Sequence, residues 1–289
     1  MKHATLLLLT FALHAPAGAQ FLLTRDQMIA YTAENPYERF ADGRPKVPDS
    51  LLEKVKTLIT EEVYGLTKAK GYPNQFAGDW KILQPGKRLV GRAFTVQFMP
   101  TRPDVAKAMQ AEADKRGIGR LRNQTVIDML GPNDVIVVDL FGKTDAGTFV
   151  GDKLAYYIWK TTGTGLIVDG GMFWLGKIIP TGMPAYYRGV SPESLQNVML
   201  TGINIPVRIG NTTVMPGDVV LGDEEGVMFL PPHLVQEAIT AADSTKARDQ
   251  WIKSKMDQRR YKSSELYGRP SDPALRKELD EYIRTHQQQ

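Results

Sequence analysis

Residues 151–176, GDKLAYYIWKTTGTGLIVDGGMFWLG, restrict the fold more than any other part of this chain. They read as a turn, a helix over 152–162, a glycine-containing turn, a buried strand over 165–169 and a Gly-Gly loop. Another buried strand, DVIVVDL at 134–140, precedes them after the turn Gly131-Pro132-Asn133. Short apolar runs bounded by turn residues and interleaved with helices define an α/β domain. The same reasoning predicts a strand over 89–98 and a helix over 104–116. Short strands are expected around 185–190, 204–209, 217–222 and 226–230, separated by Gly/Pro turns.

Residues 20–50 carry Asn35-Pro36, Asp42-Gly43, Arg44-Pro45 and Val47-Pro48, and read as an irregular, extended arm laid on the body or on a neighbour. Asp49 or Ser50 then caps a helix with the apolar stripe Leu51, Leu52, Val55, Leu58, Ile59 and Leu66. A further helix is expected over 233–256. Its basic second half (Lys246, Arg248, Lys253, Lys255) suits a solvated helix at a subunit edge better than a nucleic-acid patch, since no aromatic interleaving accompanies it. One main domain over 51–245 and a helical extension with a polar tail over 246–289 account for the 289 residues.

The chain has no cysteine, which excludes thiolate catalysis, disulfides and Cys-based metal sites, and only four histidines, His3, His14, His233 and His286. Two of these fall in 1–19, MKHATLLLLTFALHAPAGA, which reads as a secretory signal peptide. Lys2 is the charged start, 4–13 the short apolar run, and Ala17-Gly18-Ala19 the small-residue cleavage site before Gln20. The expected mature protein is exported, to a periplasm or beyond, and has no run long enough to span a membrane. Removing 1–19 takes away one lysine and no acid, so the net charge of +4 becomes +3 (4 − 1), too weak an excess to argue for nucleic acid.

Chemistry must therefore rest on carboxylates, Arg, Lys, Tyr, backbone amides or an oxygen-ligated metal. Gly151 and Asp152 open a helix, where free amides and the helix dipole favour a carboxylate or phosphate; a plain N-cap role for Asp152 is the alternative, weakened by the strand end that follows. The strand that follows ends at Asp169-Gly170-Gly171, and ligands of open α/β sheets sit beyond the carboxyl ends of strands, where glycines permit close backbone approach. Arg188, in AYYRGV, could clamp a carboxylate or form a surface ion pair. Asp223, Glu224 and Glu225 read as an acidic hairpin turn rather than a metal cage. Met172-Phe173-Trp174 could form a lid or belong to the core. His233 reads as a helix-start residue.

Taken in order, LVGRAFTV (89–96), GPNDVIVVD (131–139), GDKLA (151–155), GLIVDGG (165–171), PAYYRGVSP (184–192) and NIPVRIGNTTVMPGDVVLGDEEGVMFLP (204–231) resemble the RraA-like family. That family contains the regulator of ribonuclease activity A and metal-dependent 4-hydroxy-4-methyl-2-oxoglutarate aldolases. The resemblance implies a β/β/α swivelling-type domain in homotrimers or hexamers, with sites at subunit interfaces. It also implies that the amides of Gly151, Asp152, Lys153 and Leu154 hold the carboxylate of a 2-oxo acid. In the aldolases an acid is followed, after twenty intervening residues, by Arg-Asp, which polarises substrate and ligates Mg²⁺ or Mn²⁺. Here Asp152 matches the acid, but Phe173 and Trp174 stand at the Arg-Asp positions. A divalent cofactor is thus implied by the family and its ligand position is lost. Arg188 is the candidate replacement for the missing cation, and Asp152 and Asp169 are the candidate acid/base or metal groups. The expectation is an exported, diverged lyase of a small oxo-, hydroxy- or sugar-derived acid, with Phe173, Trp174, Gly170 and Gly171 lining the substrate. The alternative is a non-catalytic small-molecule binder or scaffold on the same fold.

Overall fold

A computed structural model describes residues 21–286. The expected signal peptide and its cleavage site lie outside the described residues. The arm is more ordered than its punctuation suggests, because it contains α1 (Arg25–Tyr31). Thr24 and Gln27 form a reciprocal capping box: Gln27 N–H donates to Thr24 Oγ1 at 3.2 Å and Thr24 N–H to Gln27 Oε1 at 2.9 Å. The helix expected after Ser50 is two helices, α2 (Asp49–Val55) and α3 (Thr60–Ala69). They part because Thr60 is held elsewhere: its N–H and hydroxyl donate to Asp223 at 2.8 and 3.2 Å.

The strands are β1 (Phe76–Ala77), β2 (Lys81–Ile82), β3 (Leu89–Pro100), β4 (Asp134–Thr148), β5 (Leu166–Met172), β6 (Ala185–Val190), β7 (Val198–Ile203), β8 (Val207–Ile209), β9 (Thr212–Val214), β10 (Val219–Gly222) and β11 (Val227–Leu230). The main sheet runs β1-β11-β10-β3-β4-β5-β6-β2, with β7 added to β3, and β8-β9 form a separate ribbon. β3, β4, β5 and β6 are mutually parallel; the flanking pairs are antiparallel.

Both faces of the parallel strands are covered, which is why their sequences are apolar without alternation. On one face Phe94, Ile136, Val138, Leu166 and Val168 pack against α4 (Pro103–Lys115), α5 (Asn123–Ile127), α6 (Asp152–Thr162) and α7 (Leu175–Ile178). On the other, Ala93, Val135, Val137, Ile167 and Tyr186 pack against the β8-β9 ribbon. The β10-β11 end is covered by α2, α3 and the first half of α8 (Val235–Asp257) through Val219, Leu221, Met228 and Leu230. Beyond it, α9 (Ser263–Leu266) and α10 (Pro273–His286) fold back on α8 around Trp251, Leu266 and Leu279, a small core of their own.

Two buried arginines fasten the arm where the two helical layers meet. The Arg44 guanidinium donates to Asp134 Oδ1 at 2.6 Å and Oδ2 at 3.3 Å, and sits 4.4 Å from the Phe40 ring centroid. Arg92 donates to Val47 O at 2.8 Å and to Asp49. The arm therefore lies on its own body.

Candidate functional site

Strand β4 outruns its sequence signal, and the surplus shapes the site. Residues Lys143 and Thr148 pair with the adjacent residues Gly170 and Gly171 of β5, so 144–147 bulge out. Ala146 within this excursion, and Phe141 ahead of it, hold positive φ angles of 42° and 45°. Gly170 and Gly171 leave no room for a Cβ because Leu140, Lys143 and this bulge lie on them. A Cβ on Gly170 would stand 2.9 Å from Lys143 O, and one on Gly171 would stand 3.1 Å from Gly147 O and Thr144 O. At both of these glycines, expected to line the substrate, the close approach seen here is made by the chain itself.

The bulge delivers the chain to Gly151, the N-cap of α6, whose backbone is extended. No side chain caps this helix, and the first intrahelical bond runs from Ala155 N–H to Gly151 O at 3.0 Å. The amides of Asp152, Lys153 and Leu154 thus open at the positive end of the helix dipole. Leu154 packs on the core, Lys153 is exposed, and Asp152 is half-buried.

Facing this opening is Trp174, 50% exposed, whose indole edge lies on Gly151 so closely that a Cβ there would be 3.1 Å from Trp174 Cδ1. Trp174 holds φ 62°, ψ 30°, a left-handed conformation that costs a bulky residue about 1–3 kcal/mol and that gathers at functional sites. Its carbonyl accepts from Lys177 N and Ile178 N, starting α7. Phe173 meets it edge-on at 5.5 Å, and Lys177 Nζ lies 4.9 Å from its ring centroid. The opening therefore has donors on one side, an aromatic wall on the other and an ammonium at its edge.

Asp169 and Arg188 do not join this group. Strand alternation puts them on the ribbon-covered face, in line with Ile167 and Tyr186, whereas α6 packs on the opposite face. Arg188 is also held through its Nε and Nη1. It donates to Asp169 Oδ1 at 2.7 Å, to Gly78 O at 2.6 Å and to Asp79 O at 3.0 Å, and its guanidinium stacks 3.6 Å from the Trp80 ring centroid. The structure thus places Arg188, the expected replacement for the missing cation, against Asp169 and Trp80 rather than at the α6 opening. Asp139 stands beside Asp169 in register and completes, with Gln97, a polar row across three strands that sequence reading missed. The signal was present, since Val-Val-Asp at 137–139 repeats the strand-end pattern of Ile-Val-Asp at 167–169. Asp223 binds Thr60, Arg88 and Glu225 N–H, which makes the acidic stretch a structural turn.

The donor set at the opening does not fit the divalent cation the family implies. Mg²⁺ and Mn²⁺ take oxygen ligands, and the side chains here are Asp152, two aromatics and lysines. Among the described residues no three His, Asp or Glu side chains are grouped to hold a metal.

These features define a mixed α/β protein with parallel central strands and an uncapped helix N-terminus facing an aromatic wall. The family model described as RraA-like, Aldolase/RraA, matches residues 57–229, more than half of the chain, and the chain belongs to that family. Protein DlpA of Legionella pneumophila is 26% identical over 175 residues, which are 60% of this chain and 26% of DlpA. A putative 4-hydroxy-4-methyl-2-oxoglutarate aldolase of Halalkalibacterium halodurans is 28% identical over 120 residues, 41% of this chain and 56% of that protein. The chain thus matches only about a quarter of the first relative and just over half of the second. Among solved structures, an unusual member of the RNase ES inhibitor RraA protein family from Streptomyces coelicolor superposes with a TM-score of 0.59 at 23% identity. That match covers 78% of this chain and all of the other, and it shows the fold.

Proposed function

We propose that the α6 opening binds the carboxylate of a small oxo- or hydroxy-acid, and that residues 173 and 174 do not carry metal-assisted aldol cleavage. The observation that carries this reading is Trp174, held in a strained conformation against Gly151 where the family pattern has a carboxylate ligand. The open amides supply carboxylate recognition, and the ring supplies an apolar wall for the carbon skeleton. Oxaloacetate and pyruvate, added to the mature protein, are expected to change the Trp174 fluorescence saturably, and Trp174→Phe removes the signal. Pyruvate release from oxaloacetate and from 4-hydroxy-4-methyl-2-oxoglutarate should be the same with Mg²⁺ and with EDTA. EDTA-sensitive release by the wild type would overturn the reading.

A diverged lyase has one observation in its favour. The Lys177 ammonium at the Trp174 ring puts positive charge beside the lost guanidinium position. On this reading the same assay shows metal-independent release that Lys177→Met and Asp152→Asn abolish.

We further propose export and a homo-oligomer. Lys2, the apolar run and Ala17-Gly18-Ala19 support the first. Exposed Tyr156, Tyr157, Trp174 and Ile179 around the opening support the second, as an apolar surface suited to a second copy. Native mass spectrometry of the expressed full-length chain tests both. It should show subunits beginning at Gln20 in a trimer or hexamer; an uncleaved monomer contradicts both. No helix among the described residues is long and apolar enough to cross a membrane.

A further inference from the structure

Between the arm and the β10-β11 end of the sheet lies a cavity of about 420 Å³. The arm contributes Tyr31 and Glu34; the body contributes Tyr72, Gln75, Asp218 and His233. At the rim, His233 Nε2 is 3.1 Å from Glu34 Oε2 and 3.3 Å from the Tyr72 hydroxyl, which ties arm to body. Asp218, 2% exposed, lines the interior. Its Oδ2 accepts the Met215 N–H at 2.8 Å, and no donor of the described residues reaches Oδ1. Gln75 donates its amide N–H to Phe229 O at 2.7 Å and keeps an unused oxygen. No lysine or arginine lines the cavity.

The lining is therefore rich in acceptors and carries two carboxyls without a permanent cation. Loss of water pushes the Asp218 carboxyl up to about 7. The ordinary value is about 4, so the folded state holds this proton more tightly than the unfolded chain does. Stability is accordingly lost as pH rises from about 4 to about 7, and ionised Asp218 is a net cost above that range. The Met215 cap does not require the charge, because an asparagine oxygen would accept the same N–H.

We propose that this cavity binds a small organic cation, a primary ammonium on a short carbon chain, with its N–H groups on Asp218 and Glu34 and its carbons against Tyr31 and Tyr72. An ammonium brings three donors to a site of acceptors, and tyrosine faces attract it. It also supplies the counter-charge that Asp218 lacks.

The probe is n-butylammonium, with 1-butanol and butyrate as its neutral and anionic analogues, titrated calorimetrically into the mature protein at about pH 8. Saturable binding of the ammonium alone is expected. Asp218→Asn should weaken it by about tenfold or more, the loss of a charge-assisted hydrogen bond. Glu34→Gln, at the exposed rim, should weaken it several-fold. Asp218→Asn should also melt higher than the wild type at about pH 8 without ligand, so lost binding is not lost fold. Wild-type binding should fall toward about pH 6 as Asp218 takes up a proton; Glu34, Tyr72 and His233 are the other titratable groups that face the cavity. Three results overturn the proposal: no saturation by the ammonium, equal binding of 1-butanol, or ammonium binding unchanged in both variants.

Discussion

Arg44→Ala is expected to lower folding stability by about 3–5 kcal/mol, the usual effect of removing one partner from a buried ion pair. For a domain of this size that is a fall in Tm of roughly 6–20 °C. The pair is well buried, with side-chain exposures of 5% for Arg44 and 3% for Asp134. Deleting the guanidinium leaves this buried carboxylate with only the Gly131 N–H, at 2.9 Å, to solvate it among the described residues. It also removes the group stacked between Phe40 and Phe94, at 4.4 and 5.3 Å. The arm from Phe21 to Val47 should then become the first site of proteolytic cleavage, well below the melting temperature. The double variant Arg44→Met with Asp134→Leu separates lost attraction from stranded charge, because an apolar pair of similar volume restores packing without charge. It should recover most of the stability that Arg44→Ala loses. Thermal melts of the three proteins decide the matter; a change under about 1 kcal/mol in Arg44→Ala would mean that solvent reaches Asp134.

That pair also shows what the sequence could not disclose. Arg44 sits in a stretch of turn residues, and nothing near it names a partner ninety positions away. Buried ion pairs are decided by tertiary distance, which periodicity does not encode. The strands were legible because both faces of β4 and β5 are covered and their runs are apolar throughout. The two-helix break at Thr60 was not, since it depends on Asp223 across the fold. At the candidate site, Gly151 to Leu154 and the pair Phe173-Trp174 were legible as a motif and its departure, and the structure brings them together. Arg188 and Asp169 read equally well in sequence and lie on the other face. A one-residue alternation of strand direction, invisible in a motif, separates them from α6. The Gly-Gly pair signals a close approach in sequence but not what approaches, and in the structure β4 itself does so.

The double variant Phe173→Arg with Trp174→Asp is expected to create metal-dependent pyruvate release where the wild type has none. The backbone at 174 already holds φ 62° and ψ 30°. Aspartate tolerates that left-handed region far better than tryptophan does, so the exchange relieves strain rather than adding it. It also clears the indole from Gly151 and places a second carboxylate near Asp152, which gives a divalent ion the oxygen donors it lacks. The arginine restores a guanidinium at the opening, and one such preorganised group is worth about a hundredfold to a thousandfold in rate. The gain should be strongly non-additive. Arginine alone has no metal beside it, and aspartate alone has no cation to polarise the substrate, so each single variant should stay near the wild-type level. Release in the double variant should vanish with EDTA and with a third change, Asp152→Asn. Equal, EDTA-sensitive release by wild type and double variant would mean that other ligands already hold a metal at this site. A folded double variant that binds oxaloacetate without cleaving it would instead mean that divergence reached beyond positions 173 and 174.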